Sequence, residues 1–367
     1  MKDNRKIRVG ITQGDINGVG YEVTLKALED NRILELCTPV LFGSAKIAAF
    51  YRKGLGLQTP PFHQTASAAE IKDGDYNVVN VVPEDTKVEP GLSTQAAGKA
   101  AFDALEAAVA ALRSGDIDVL VTAPINKHNI QSETFTFPGH TEYLEASVGD
   151  GNRSLMILCN DILRVALVTT HLPIAKVPEA ITREAILEKL AIFNRSLIRD
   201  FGIVAPRIAV LSLNPHAGEN GLLGSEENDI ITPAIEEAVR KKILAFGPYA
   251  ADGFFGSGQH LHFDGVLAMY HDQGLAPFKT IAMETGVNFT AGLPYVRTSP
   301  DHGTGYDIAG KGEASEESMR CAIYRAIDVM RCRERYASAT RNPLRRQYFD
   351  KSNDNVVLDL SKEENAD

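Results

Sequence analysis

Three histidines, His171, His216 and His271, each close an apolar run: VALVTTH, AVLSLNPH and VLAMYH. Three imidazoles meeting from separate segments, with a coordination position left open, are a standard catalytic arrangement for zinc or a similar divalent ion. Taken singly, each histidine reads more readily as a cap bonded within its own turn. Taken together they read as metal ligands. Two carboxylates lie close in sequence, Asp272 directly after His271 and Asp252 in AADGFF. Either can orient an imidazole or accept a proton. Their plain alternatives are a helix N-cap and a turn aspartate.

A second group suits an anion. GHTEYLE places His140 and Thr141 just before a helical stretch, where an imidazole, a hydroxyl and backbone N–H groups suit a carboxylate or phosphate. Lys279, Asn288 and Arg297 follow one another at equal intervals through GLAPFKTIAMETGVNFTAGLPYVRTSP, which reads as a weakly charged loop around Arg297. Two cations and a directed amide can clamp a phosphoester. The polar, Gly-rich DHGTGYDIAGKG (301–312) offers His302, Gly303, Thr304, Gly305 and Asp307 to the adenosine end of a nucleotide; a structural Ω-loop is the alternative. QGDINGVGYE (13–22) reads as a flexible turn, since neither G-x-G-x-x-G nor G-K-[ST] is present.

These residues need a scaffold. Short apolar runs at 7–12, 39–43, 76–82, 118–124, 154–160, 163–171, 207–216 and 264–271 read as strands. Helical periodicity appears at 21–30, 93–115, 182–202 and 228–247, while 53–75 reads as a weak surface connection and the polar end, 340–367, as fraying. Several strands are apolar throughout, which marks strands covered on both faces. The expected architecture is α/β, two-lobed, with mostly parallel sheets between helices, and ligands belong at the carboxyl ends of such strands. A length of 367 residues suits two lobes better than one core. Residues 1–130 plus 280–367 are expected to form a nucleotide-binding lobe and 131–279 a metal, substrate and dimerisation lobe, with the site in the cleft between.

A net charge of −10, with no basic stripe, argues against a nucleic-acid surface. Any pocket for an anion must then be locally basic. No apolar run approaches the ~18 residues of a membrane helix. Four scattered cysteines without a C-x-x-C pair, and a start that enters a strand directly, fit a reduced, cytoplasmic protein.

TQGDINGVGYE, TAPINK, GHTEYLE, TTHLP, LNPHAGE, MYHDQGLAPFK and GVNFTAGLPYVRTSPDHGTGYDIAG, in this order, closely resemble the 4-hydroxythreonine-4-phosphate dehydrogenase family of vitamin B6 biosynthesis. The 301–312 loop is also similar to the adenosine loop of isocitrate and isopropylmalate dehydrogenases, which implies their fold. Carried over, the resemblance makes His171, His216 and His271 ligands of a divalent metal (Zn, Co or Mg). It makes His140, Thr141, Lys279, Asn288 and Arg297 substrate contacts, and NAD or NADP the oxidant. It implies a homodimer with the site at the subunit interface, one histidine coming from the partner chain. The implied reaction oxidises 4-phosphooxy-L-threonine at C3 and decarboxylates the product to 3-amino-2-oxopropyl phosphate; nearness in sequence to the metal ligands makes Asp272 or Asp252 the candidate base, with Lys279 kept mainly for anion binding. The chain departs from the family at Ile16 and Tyr21, where proline is usual, and at Gly253, where threonine is usual. Oxidation of 4-phospho-threonate or 4-phospho-erythronate is the nearest alternative; a three-histidine zinc hydrolase and a non-catalytic binding protein are alternatives of other classes.

Overall fold

The computed structural model describes residues 5–343; the polar C-terminal stretch from 344 onward lies outside them. The eight apolar runs supply eight strands of one twelve-stranded sheet, and the other four form from segments not read as strands, one of them within the 53–75 connection. The twelve begin with β1 (Ile7–Thr12), β2 (Cys37–Gly43), β3 (His63–Thr65), β4 (Asn77–Asn80), β5 (Val119–Thr122) and β6 (Leu155–Cys159). They continue as β7 (Arg164–Leu167), β8 (Arg207–Leu211), β9 (Leu244–Tyr249), β10 (Gly265–Ala268), β11 (Val287–Ala291) and β12 (Val296–Pro300). Their spatial order is β3-β4-β2-β1-β5-β12-β11-β6-β7-β10-β8-β9. Pairing is parallel except around β11, which runs antiparallel to β12 and β6, and between β6 and β7. Every residue of β2, β5 and β10 is buried, the pattern of strands covered by helices on both faces.

The long helices begin where the sequence supplies a cap. Thr94 Oγ1 accepts from the Ala97 amide at the start of Gln95–Ser114, and left-handed Gly115 ends that helix. Thr182 does the same for Arg183–Arg199. Among the described residues, no helix is long and apolar enough to cross a membrane.

Three local expectations change. The stretch read as a helix to 247 ends at Arg240, and Leu244–Tyr249 instead pairs with β8 as an edge strand. LAFGPY carries no strong local preference, so the open edge of β8 decides. None of the three histidines ends a strand: β7 stops at Leu167, β8 at Leu211 and β10 at Ala268, and His271 instead opens the helix His271–Ala282, which accommodates Pro277 internally. Arg297 does not lie in a loop either but is the second residue of buried β12, because β11 and β12 fill the gap between β5 and β6.

Candidate active site

The cleft of about 660 Å³ opens beside β5, β12 and β7 and is lined by all five residues of the anion group. They come from two helices and two strands. His140 and Thr141 start the helix His140–Val148, Lys279 sits in the last turn of His271–Ala282, and Asn288 and Arg297 stand on the adjacent strands β11 and β12. Arg297 is 4% exposed. Its Nε and Nη2 donate to Thr122 Oγ1 at 3.0 and 2.6 Å, and its Nη1 to Thr290 Oγ1 at 3.2 Å. Hydroxyls, not a carboxylate, hold this cation. Burial lowers its pKa to about 10, so it stays charged at neutral pH, with Glu142 opposing the shift from across the cleft.

Burial also pushes the His140 imidazole well below its ordinary pKa, with the charges of Arg297 and Lys127 adding to the effect. His140 is therefore a neutral hydrogen-bonding group. Four polar atoms in this cleft are buried without a hydrogen-bond partner: His140 Nε2, Asn288 Oδ1, Asp301 Oδ2 and His302 Nε2. Buried polar atoms are nearly always satisfied, so orphans gathered in one cavity point to a polar ligand. Five Lys and Arg side chains (Lys127, Arg153, Lys189, Lys279, Arg297) line the cleft against four carboxylates, in a chain with 38 Lys and Arg against 48 Asp and Glu. The cleft is locally basic, as an anionic ligand requires.

The three histidines share one edge of the sheet, because β7, β10 and β8 are parallel neighbours. His171 and His271 come together, their ring centroids 6.2 Å apart. Two imidazoles on one tetrahedral zinc ion hold their centroids about 5.2 Å apart, so this pair is near enough to share an ion only after closing by about 1 Å. Partial burial, then the Lys127 charge, lowers the His171 pKa and favours the neutral, ligating form. Asp272 Oδ1 lies 2.6 Å from His271 Nδ1, which orients the ring and leaves Nε2 available.

His216 does not join them within one chain, and among the described residues no three His, Cys, Asp or Glu side chains are grouped to hold an ion. It sits on an exposed turn in which His216, Ala217, Gly218, Glu219 and Asn220 are all left-handed, with φ between 42 and 75°. Left-handed backbone costs about 1–2 kcal/mol per non-glycine residue. Glu227 secures the turn by accepting from the Leu213 and Asn214 amides, both at 2.8 Å. Asp252 is exposed on the helix Ala251–Gly256 and does not line the cleft; β9 pairs with β8, so it stands at the same sheet edge as His216.

Of the 301–312 loop, His302 and Gly303 line the cleft, whereas Thr304, Gly305 and Asp307 do not. Asp307 is exposed. Thr304 is bound to the first turn: its carbonyl accepts from the Val19 amide at 2.9 Å, and a side chain at Gly18 would meet that oxygen at 2.6 Å. Asp15 Oδ2 accepts from Tyr306 Oη and from Asn129 Nδ2, both at 2.7 Å. One buried carboxylate thus ties the first βα turn and the segment after TAPINK to the Gly-rich loop.

Sequence reasoning missed several residues here. Thr122 and Thr290 carry no local signal beyond being polar in a strand. Lys127 stood inside the quoted TAPINK without a role, and Asp301 was passed over beside His302. Asp301 Oδ1 lies 3.3 Å from Lys279 Nζ.

The family model described as pyridoxal phosphate biosynthetic protein PdxA matches residues 35–326. A 4-hydroxythreonine-4-phosphate dehydrogenase of Bacteroides thetaiotaomicron is 61% identical over 360 residues, 98% of each chain. A putative D-threonate 4-phosphate dehydrogenase of Oceanobacillus iheyensis is 38% identical over 89% of this chain and 98% of its own. Among solved structures, 4-hydroxythreonine-4-phosphate dehydrogenase from Klebsiella pneumoniae matches with a TM-score of 0.76 at 33% identity, covering 89% of this chain and 99% of that one.

Proposed function

The chain belongs to the PdxA family of pyridoxal phosphate biosynthetic proteins, and on that premise we propose that it is a dehydrogenase oxidising 4-phosphooxy-L-threonine at C3, with subsequent loss of CO₂ to give 3-amino-2-oxopropyl phosphate. The observation that carries this reading is the set of orphaned polar atoms in the cleft that the hydroxyl-held Arg297 lines. A buried cation with open N–H groups, neutral His140, the Thr141 hydroxyl and the Lys279 ammonium make a site for a phosphate. Asn288 directs an amide to the same ligand.

His171, His271 and the partner's His216 would hold a divalent ion, and His302 and Gly303 lie where a nicotinamide cofactor (NAD or NADP) would meet the substrate. The ion would supply a Lewis acid for the oxygen on C3, and the nicotinamide would supply the hydride acceptor. This chain's own residues do the rest. The phosphate clamp fixes C3 in register with the two histidines. Asp272 holds His271 in one ring orientation. For the base, Asp252 fits best as a group delivered with His216 from the second subunit.

Two features support a homodimer with a shared site. The strained His216 turn is exposed, and exposed apolar side chains flank both halves: Leu172 and Ile174 beside His171, Leu222 and Leu223 beyond His216. Contact of one patch with the other is self-complementary under two-fold symmetry, as an isologous interface requires.

The Oceanobacillus relative favours a second reading, oxidation of 4-phospho-threonate. Following NADH and NADPH formation with 4-phosphooxy-L-threonine and with 4-phospho-threonate, in the presence of Zn²⁺, Co²⁺ or Mg²⁺, decides between them. The expected result is faster turnover of the amino compound, abolished by a chelator; no turnover of either would refute the dehydrogenase reading. Mixing inactive His171→Ala and His216→Ala subunits tests the shared site: random reassociation should restore about a quarter of wild-type activity, and no recovery from a mixture shown to form hybrid dimers would refute it.

A further inference from the structure

The Asp301 carboxyl has no task in the reaction as described, yet it sits against one of the phosphate-binding groups. It directly follows β12 and lines the cleft with 13% of its side chain exposed. Its Oδ1 lies 3.3 Å from the Lys279 ammonium, and its backbone carbonyl accepts from the same nitrogen at 3.1 Å. Its amide donates to Ser318 Oγ at 3.0 Å, and that hydroxyl donates onward to the Gly286 carbonyl, so the residue is fixed from behind. The second carboxyl oxygen, Oδ2, is buried and has no hydrogen-bond partner. Lys279 therefore has a counter-ion before any substrate arrives, and half of that counter-ion is unsatisfied.

We propose that Asp301 and the substrate's phosphate compete for the Lys279 ammonium, and that the displaced carboxylate takes up a proton from solvent, coupling substrate binding to proton uptake. The inference rests on the phosphate-binding role given to Lys279 above. An ionised carboxylate near a phosphate in a poorly solvated cleft is held there only by the cation between them. Once that cation turns to the phosphate, protonation removes the like-charge repulsion, and the new O–H can donate a hydrogen bond to the phosphate.

Burial already raises the Asp301 pKa, and Lys279 is the main influence opposing the rise. Losing Lys279 and gaining a dianion both act in the same direction as burial. The groups facing Asp301 are Lys279 and, at longer range, His271 from the helix His271–Ala282, His302 from its own loop, the uncharged Ser318 from the final helix, and Gly286 ahead of β11. None of the others is a carboxylate; the two imidazoles can also take up protons beside a dianion, and comparison with Asp301→Asn separates their share from that of Asp301.

Titration calorimetry of the metal-supplemented protein with 4-phosphooxy-L-threonine, without nucleotide and in two buffers of different ionisation enthalpy, counts the protons exchanged. Wild type should take up protons on binding, and Asp301→Asn should bind the same compound with that uptake cut by more than about half. Lys279→Gln, whose Asp301 has no cation to lose, should bind more weakly and also take up fewer protons; it keeps the test decisive if Asp301→Asn does not fold. Equal proton counts in wild type and in a folded variant would overturn the competition and leave the phosphate site standing. No binding by wild type would overturn the substrate reading, and the competition with it.

Discussion

Replacing Thr122 with Val removes one oxygen and nothing else of consequence, yet the structure makes it a severe change. The Thr122 hydroxyl accepts two of the three side-chain hydrogen bonds of the buried Arg297 guanidinium, at 2.6 and 3.0 Å, and Val has nearly the same shape. A hydrogen bond to a charged group contributes about 1.5–3 kcal/mol, and here two converge on one acceptor, so the expected destabilisation is about 2–4 kcal/mol. Thr290 keeps its bond to Nη1, which leaves the guanidinium tethered at one corner and free to swing. The KM for the phosphorylated substrate should therefore rise by about tenfold or more, since each 1.4 kcal/mol of lost positioning is a factor of ten, while kcat changes far less. Urea unfolding and steady-state kinetics measure both effects. Thr122→Ser retains the oxygen and should restore most of the loss. If Thr122→Val unfolds within about 0.5 kcal/mol of wild type and keeps its KM, then Arg297 is neither dry nor positioned by this hydroxyl, and the anion-site argument fails with it.

Three further perturbations test other parts of the structure. The folded-state pKa of His140 lies well below the ordinary 6.5, so the unfolded chain takes the proton first; stability is full above that value and is lost as pH falls through it, and His140→Gln should flatten the acid side of a urea-midpoint profile. Tyr21→Phe removes a hydroxyl that donates to Gln13 Oε1 at 2.6 Å and accepts from the Ser44 amide at 2.9 Å, leaving both unpaired in the core; thermal unfolding should show a loss of about 1–3 kcal/mol. Asp15→Asn replaces an acceptor of two short hydrogen bonds, loosening the tie to the Gly-rich loop, and should raise the KM for the nucleotide about five- to tenfold while the substrate KM stays put; an unchanged nucleotide KM would detach that loop from cofactor binding.

The strands β5, β7, β8 and β10 were readable because each is an apolar run, and burial on both faces leaves such a run few alternatives, whereas β11 and β12, which carry Asn288 and Arg297, were not. The anion group was readable as residue types and is brought together by the fold, but its setting was not. Arg297 was expected in a loop because Thr298, Ser299 and Pro300 dilute the apolar signal of a five-residue strand, and the decisive factor is the vacant place between β5 and β11. That factor is non-local. Asp301 went unnoticed for a related reason: nothing near it in sequence announces that Lys279, on another element, will face it. The histidines were legible as a shared sheet edge and no further. Parallel order puts β7, β10 and β8 side by side, whereas the distance from His216 to the other two depends on a turn whose left-handed backbone no composition rule predicts for Pro-His-Ala-Gly-Glu-Asn.

The two positions where proline is usual in the family show how a local stiffener can be replaced by packing. Proline at 16 and 21 would restrict the first βα turn by fixing φ; Ile16 and Tyr21 leave that freedom in the unfolded chain and must remove it in the folded one. They do so jointly. The Ile16 carbonyl accepts from Tyr51 Oη at 2.7 Å, and the Tyr51 ring stacks on Tyr21 with centroids 5.5 Å apart and planes 8° from parallel. Tyr21 is in turn locked by Gln13 and Ser44, and Gln13 Nε2 donates to the Ala100 carbonyl in the helix Gln95–Ser114. The turn between Ile16 and Tyr21 contains Gly18 and Val19, the two residues against which Thr304 packs. A turn held at both ends by buried aromatics gives the Gly-rich loop the same fixed seat that proline would give it. The exchange has a physical consequence that separates the two designs. Proline acts through the unfolded chain and survives loss of any one contact, whereas this arrangement depends on a dry tyrosine pair, so Tyr51→Phe should free the Ile16 carbonyl and loosen the nucleotide end of the cleft while the phosphate end, built on β11 and β12, stays intact.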